Sequence, residues 1–137
     1  YVMRADGSGL KRLTNVNGYD GGPFFSPDGK RIIWRRFDER GLIADVWTMN
    51  PDGTDQRQIT HFGAMSWAPY IHPTGQYIIF SSNKLGFENF ELFMVDIDGK
   101  TGVMTVTLKD VDNRDLWSVD IEPRPDARPG QIMAQHI

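Results

Sequence analysis

The 137-residue sequence contains no cysteine, which excludes disulfides and thiol chemistry. It also lacks long apolar runs. None approaches the roughly 20 residues that a membrane-spanning helix needs, so we expect no membrane insertion. The formal net charge is only −3 and the signs are mixed, which offers no basic surface for nucleic acid. With 39% hydrophobic and 24% charged residues, the composition is that of a folded domain rather than a disordered chain.

The sequence repeats itself with a period of about 46 residues. The segment Tyr1–Gly7 returns as Trp47–Gly53 and again as Phe93–Gly99. A second element, Ser26–Trp34, returns as His72–Phe80 at the same offset. A period in the 40s that contains short strands is typical of β-propeller blades, whereas solenoid repeats of this length are helical.

Short segments rich in β-branched and aromatic residues are the predicted strands: Arg31–Phe37, Asp45–Asn50, Tyr77–Ser82 and Leu92–Asp96. Asp-Gly or Thr-Gly pairs lie between strands. They suit tight hairpin turns because glycine accepts a positive φ and aspartate bonds the nearby backbone. The predicted turn residues are Asp6, Gly7, Asp28, Gly29, Asp52, Gly53, Gly75, Asp98 and Gly99. No segment shows a sustained helical period, so the predicted fold is all-β.

Each repeat resolves into four antiparallel strands, named A to D from the inside of a propeller outward. About three blades are predicted, as an outer half-blade over 1–14, complete blades over 22–61 and 66–109, and an inner half-blade over 116–137. Pairing the two half-blades, within one chain or between copies, would complete a blade and remove two open edges. Since propellers have about four to eight blades, either two copies form a six-bladed ring or the chain is a piece of a longer protein.

The inner strands of a propeller are buried on both faces. This makes Phe24, Trp67 and Trp117 predicted inter-blade core residues rather than ligand-binding residues. The B–C and D–A connections carry variable segments, and function concentrates in loops held on a rigid scaffold. Aromatic residues, Met and Arg are enriched at interface centres. The candidate binding residues on this loop-rich face are Tyr19, Asp20, Arg35, Arg36, Phe37, Arg40, Met65, Phe87 and Arg114.

A purely structural role is the alternative for these residues. In that case Phe37 and Phe87 cap the core, and the arginines pair locally with Asp38 and Glu39. For the face as a whole, we predict contact with a protein or peptide partner.

No recognisable catalytic or metal-binding motif is present. The three histidines, at positions 61, 72 and 136, form no His-x-x-x-His pair, so no zinc site is predicted. There is no Gly-x-Ser-x-Gly motif, and Ser8 is a predicted turn residue. Gly18–Gly22 lacks the lysine and helix of a phosphate loop. Asp110–Asp115 lacks the glycine and distal glutamate of a calcium loop. We therefore expect no catalytic residue, no bound metal and no cofactor.

The string Phe24–Trp34 resembles the Ser-Pro-Asp-Gly-Lys core of TolB-like (WD40-like) β-propeller repeats, and Val46–Gly53 resembles the hairpin that follows it. The second repeat departs from the motif, with His72 for Ser and Thr74 for Asp. The resemblance implies a six-bladed propeller, exported in bacteria and usually periplasmic, that binds protein partners without catalysis. Related blades also gate substrates in peptidases. A propeller segment of a hydrolase, with its catalytic domain outside this chain, is therefore the alternative function.

Overall fold

The computed structural model describes residues 1–100, together with the backbone of the strands 103–109 and 115–122. Within this part the chain forms strands in two antiparallel sheets and no helix. The first sheet has the order β1 (Asp20–Phe25), β2 (Ile32–Phe37), β3 (Ala44–Met49) and β4 (Arg57–Gln58). The second has the order β5 (Ser66–Ile71), β6 (Tyr77–Ser82), β7 (Glu91–Asp96), β8 (Val103–Lys109) and β9 (Asp115–Glu122).

Strand order follows chain order in both sheets, which is the meander that the repeat predicts. The central hairpins pair in equivalent registers, with Trp34 opposite Trp47 in the first sheet and Phe80 opposite Phe93 in the second. The all-β prediction is therefore confirmed. No helix in the described part has the length and apolar character to cross a membrane.

The predicted turn glycines all have positive φ, between +68° and +90°. In the first A–B turn, Asp28 Oδ1 accepts hydrogen bonds from Ser26 Oγ at 2.6 Å and from the Lys30 amide at 3.0 Å. In the second, a hydrogen bond of 3.0 Å joins His72 Nδ1 to Thr74 Oγ1. The two substitutions in the repeat thus keep a side-chain bridge across the turn.

The described part of the chain has two apolar layers. The larger lies between the two sheets and combines Ile33 and Val46 of the first sheet with Ile78, Phe80 and Phe93 of the second. The smaller contains Leu13, Ile32, Trp34 and Met49, and it packs the N-terminal hairpin against the first sheet. Ile32 and Ile33 enter different layers because successive side chains of a strand point to opposite faces.

The inner strands are less buried than predicted. Phe24 is 50% exposed and Trp67 is 40% exposed, so their assignment to the inter-blade core was wrong. Both lie on strands that end their sheets, where no other described strand pairs with the outer edge. Phe24 instead meets Tyr70 of the neighbouring inner strand, edge to face, with ring centroids 6.2 Å apart. The side chain of Trp117 is outside the described residues.

The region of the predicted inner half-blade contains one described strand, β9. Strand β9 pairs with β8, from Val103 opposite Glu122 to Lys109 opposite Asp115, and becomes the fifth strand of the second sheet. Strands joined by a short connection pair directly more readily than they cross to a new sheet. Residues 123–137 are outside the described part. At the other end, Val2 and Lys11 exchange two backbone hydrogen bonds of 2.8 Å, which makes residues 1–14 a hairpin.

Candidate functional site

A depression of about 400 Å³ opens on the loop-rich face. It lies where the segment before β1, the connection after β2 and the start of β5 come together. Its lining residues are Gly18, Tyr19, Arg35, Phe37, Asp38, Glu39, Arg40, Gly41 and Trp67. The structure thus brings together four of the predicted binding residues, namely Tyr19, Arg35, Phe37 and Arg40.

A chain of ring contacts runs along this face and joins the two sheets. We call Tyr19, Phe37, Trp67 and Phe90 the aromatic row. Successive ring centroids are 5.8, 6.3 and 6.2 Å apart, and the last two contacts are edge to face. Tyr19 is 58% exposed and Phe90 is 48% exposed. An exposed, contiguous apolar surface of this kind marks an interaction site more often than scattered single residues do.

Arg35 lies within the aromatic row. Its guanidinium carbon is 5.7 Å from the ring centroid of Tyr19 and 4.6 Å from that of Trp67. Its Nε is enclosed and has no hydrogen-bond partner among the described residues. Stacking on aromatic faces compensates part of the lost hydration of a guanidinium, but it satisfies none of the N–H donors.

The next residue, Arg36, points to the opposite face of β2 and pairs with a carboxylate. It donates from Nε to Asp20 Oδ1 at 2.8 Å and from Nη2 to Asp20 Oδ2 at 3.0 Å. The guanidinium also stacks over Trp34 and Trp47. Burial alone would raise the pKa of Asp20, but the hydrogen bonds and charge of Arg36 outweigh it and hold that pKa below its ordinary value. Neither residue lines the depression.

Glycine leaves the space that this arrangement needs. A Cβ on Gly21 would come within 2.4 Å of the Tyr19 ring, and a Cβ on Gly22 within 3.2 Å of Arg35 Nη1. Gly22 also has φ +60°, at an irregularity in the pairing of β1 with β2. The Gly18–Gly22 segment, which fits no phosphate loop, therefore packs a ring and a guanidinium against bare backbone.

Asp38 holds the connection after β2. Its Oδ1 accepts hydrogen bonds from the backbone amides of Ile43 at 2.9 Å and Leu42 at 2.8 Å. These hydrogen bonds, led by the one from Ile43, keep the pKa of Asp38 below its ordinary value. Arg40 is exposed and its Nε lies 3.9 Å from Asp38 Oδ2. This is a loose pair, which leaves the Arg40 side chain accessible at the rim.

The remaining predicted residues lie outside the depression. The Met65 amide donates to Asn83 Oδ1 at 2.8 Å, and Asn83 Nδ2 donates to the carbonyl of Phe87 at 3.2 Å. Buried Asn83 thus ties together the two loops of the second sheet. The Phe87 ring is 76% exposed and neither caps the core nor joins the aromatic row in any recorded ring contact. Arg114 is outside the described residues.

Sequence reasoning missed two members of the aromatic row. Trp67 was assigned to the core, and Phe90 was not singled out. The 46-residue offset offered a signal for Trp67, because that position is occupied by Gly21 in the preceding repeat. A bulky ring in place of a packed glycine cannot occupy the same buried space. We find no corresponding signal for Phe90.

In the described part of the chain, no group of three or more His, Asp or Glu side chains could hold a metal ion. The depression is instead lined by aromatic rings, by the charged side chains of Asp38, Glu39 and Arg40, and by the unpaired guanidinium of Arg35. Such an arrangement can bind a group with an apolar body and a polar acceptor.

The two successive antiparallel meanders, packed face to face, are blades of a β-propeller. No family model matches the chain, and no curated protein does. Solved structures do match. One is the structure of putative TolB from Agrobacterium tumefaciens, with a TM-score of 0.64, 26% sequence identity and coverage of 85% of this chain. The match covers 41% of that protein, so this chain spans about two fifths of its length.

Proposed function

We propose that this chain is a non-catalytic propeller scaffold of TolB-like type, whose loop-rich face binds a protein or peptide partner. The observation that carries this proposal is the exposed aromatic row, which crosses from one blade to the next beside a depression of about 400 Å³. Exposed aromatic side chains supply large contact area at small conformational cost, and they dominate the energetics of many interfaces.

The aromatic row is held by a rigid core and by fixed loops, which favours a role in binding a partner over a purely structural role. The row spans the same two sheets that are joined by the apolar layer, in which Phe80 and Phe93 stack with centroids 5.9 Å apart. Asp38 and Asn83 fix the loops on either side through hydrogen bonds to the backbone. A preorganised surface loses less entropy when a partner binds.

The same resemblance supports two finer proposals. The chain belongs to a six-bladed ring, completed either by self-association or by blades outside this sequence, and the protein is exported in bacteria. Light scattering tests the first, because a mass of twice 15.6 kDa would indicate two chains in one ring. A folded monomer would exclude closure by self-association.

The binding proposal can be tested with peptides selected from a random display library on the intact chain. Calorimetry would then measure the affinity of each selected peptide for the wild type and for Trp67→Ala and Phe90→Ala variants. Leu10→Ala is the control, because Leu10 is also an exposed apolar side chain but lies in the N-terminal hairpin. We expect the two row variants to weaken binding at least tenfold, as truncation of an aromatic anchor typically does. Selected peptides whose binding is unaffected by either row variant would refute the proposal.

A further inference from the structure

Arg35 differs from every other arginine in residues 1–100. Each of the others has a polar partner in the protein. These pairs are Arg4 with Ser8, Arg12 with Thr14, Arg31 with Asp55, Arg36 with Asp20, Arg40 with Asp38, and Arg57 with Asp55. Among the described residues, Arg35 has ring contacts alone. A partly buried guanidinium without an acceptor is costly, and proteins normally provide one.

The stacking of Arg35 decides which part of it remains available. Tyr19 and Trp67 contact the guanidinium, and Nε is the one nitrogen of this group that is both enclosed and unpaired. The two terminal nitrogens therefore keep access to the depression that Arg35 lines. A stacked guanidinium presents its in-plane N–H groups in a fixed fork, and this fork matches a planar acceptor with two oxygens.

The surrounding charges favour a single negative charge. Asp38, Glu39 and Arg40 line the same depression, and Arg40 already lies 3.9 Å from Asp38, so a doubly charged phosphate would meet two carboxylates at close range. A carboxylate brings a single negative charge, which matches Arg35, the lining guanidinium that has no acceptor among the described residues. Apart from these charged residues and two glycines, the lining is aromatic, which suits an apolar side chain beside that carboxylate.

The geometry points to Arg35 as the binding site for a carboxylate of the partner peptide, with an adjacent apolar side chain of that peptide packed on Trp67 and Phe90. The inference rests on the proposed function and names the chemistry that the partner must bring. The carboxylate can come from an acidic side chain or from a chain terminus, since both present the same two oxygens.

Three synthetic peptides separate these sources on the intact chain. They are acetyl-Phe-Glu-Phe-amide, acetyl-Phe-Gln-Phe-amide, and acetyl-Phe-Gln-Phe with a free terminal carboxylate. Affinity is measured by calorimetry, and the Arg35 Nε–H resonance, assigned by its loss in Arg35→Gln, reports on the site directly. Arg35→Lys keeps the charge but removes the planar fork. Arg4→Gln is the matched control, because it removes one exposed guanidinium from the N-terminal hairpin.

We expect the Glu peptide to bind about tenfold more tightly than the Gln peptide, as a charge-assisted hydrogen bond in a partly buried site provides. Arg35→Gln should remove this ratio, Arg35→Lys should retain part of it, and Arg4→Gln should leave it unchanged. Tight binding of the peptide with the free terminus would identify a terminal carboxylate as a further source.

If all three peptides bind the wild type equally well and bind the Trp67→Ala variant more weakly, the carboxylate inference is overturned and the proposed function stands. If no peptide binds, titration with sodium acetate decides. A shift of the Arg35 Nε–H resonance would uphold the carboxylate site while the peptide proposal loses its support. An unchanged resonance would overturn the inference.

Discussion

Arg36 and Asp20 form a two-pronged ion pair in the first sheet, with donor–acceptor distances of 2.8 and 3.0 Å. Trp34 Nε1 adds a third hydrogen bond to Oδ1 at 3.1 Å. Both charged side chains are mostly buried, so solvent screens this pair less than a surface ion pair. The pair joins the start of β1 to the end of β2, next to the strand position from which Arg35 reaches the depression.

We expect Asp20→Asn to lower the free energy of unfolding by about 2 kcal/mol at pH 7, because it removes charged hydrogen bonds from a partly buried site. The pKa of Asp20 in the folded protein lies below its ordinary value. The ionised carboxylate therefore contributes fully to stability at a pH above the ordinary pKa, and this contribution is lost as the pH falls through the lowered pKa of the folded state. The cost of the substitution should therefore shrink below about pH 4. Urea unfolding at pH 7 and at pH 3 measures both quantities.

Glu39→Gln is the control for that experiment, since Glu39 is exposed and lies in the next loop of the same sheet. It should change stability by less than about 0.5 kcal/mol at either pH. A cost for Asp20→Asn that stays constant between the two pH values would contradict the predicted role of its charge.

Asp45 should show the opposite dependence on pH. Burial raises the pKa of this carboxyl, although Thr60 Oγ1 donates to it at 2.8 Å and Gln58 Nε2 at 3.0 Å. A raised pKa means that the folded state holds the proton more tightly than the unfolded state does. Its stabilising contribution is therefore largest at low pH and declines as the carboxyl ionises.

The cost of Asp45→Asn should consequently be larger at pH 3 than at pH 7, the reverse of Asp20→Asn. Asparagine keeps an acceptor for Thr60, so the protein should remain folded at both values. Unfolding curves of the two variants in the same buffers provide the comparison, and slopes of the same sign would disprove the assignment.

Much of the fold follows from local sequence. Strands such as Tyr77–Ser82 are predictable because β-branched and aromatic residues alternate between turns that require glycine at a positive φ. The 46-residue repeat then supplies the order of the strands. The partner of β9 is not predictable in the same way, because it depends on which strand edge is free in three dimensions.

The candidate site is less accessible to sequence reasoning. Arg35 and Arg36 are chemically identical neighbours, and strand alternation says only that they face opposite ways. Which of them meets an acceptor depends on Asp20, 16 positions earlier, through the register of β1 with β2. The exposure of Trp67 likewise depends on how far the neighbouring sheet extends over an inner strand.

Ala68 offers a test of backbone strain. It has φ +47°, at the same irregularity in the second sheet that Gly22 occupies in the first. An L-residue pays about 1 kcal/mol for this conformation, which glycine adopts freely. We expect Ala68→Gly to raise the free energy of unfolding by about 0.5 kcal/mol, after allowance for the greater freedom of glycine in the unfolded chain.

The reciprocal change, Gly22→Ala, should cost about 1 kcal/mol or more, because it adds strain and presses a methyl group against Arg35. Gly86→Ala is the control, since its new methyl would meet only Asn89 Nδ2 at an ordinary 3.8 Å. Denaturant midpoints rank the three variants. Destabilisation by Ala68→Gly would show that the positive φ at this position carries no strain.

Phe80 joins the two blades, and its removal should destabilise both. The ring is buried, stacks on Phe93 at 5.9 Å and packs in the layer that includes Ile33 of the first sheet. We expect Phe80→Ala to cost about 3–4 kcal/mol, whereas exposed Phe87→Ala should cost less than about 0.5 kcal/mol. Tryptophan fluorescence, which includes Trp34 in the first sheet, and circular dichroism should report one shared transition, shifted together by Phe80→Ala. Separate transitions would mean that the blades unfold independently and that this layer couples them weakly.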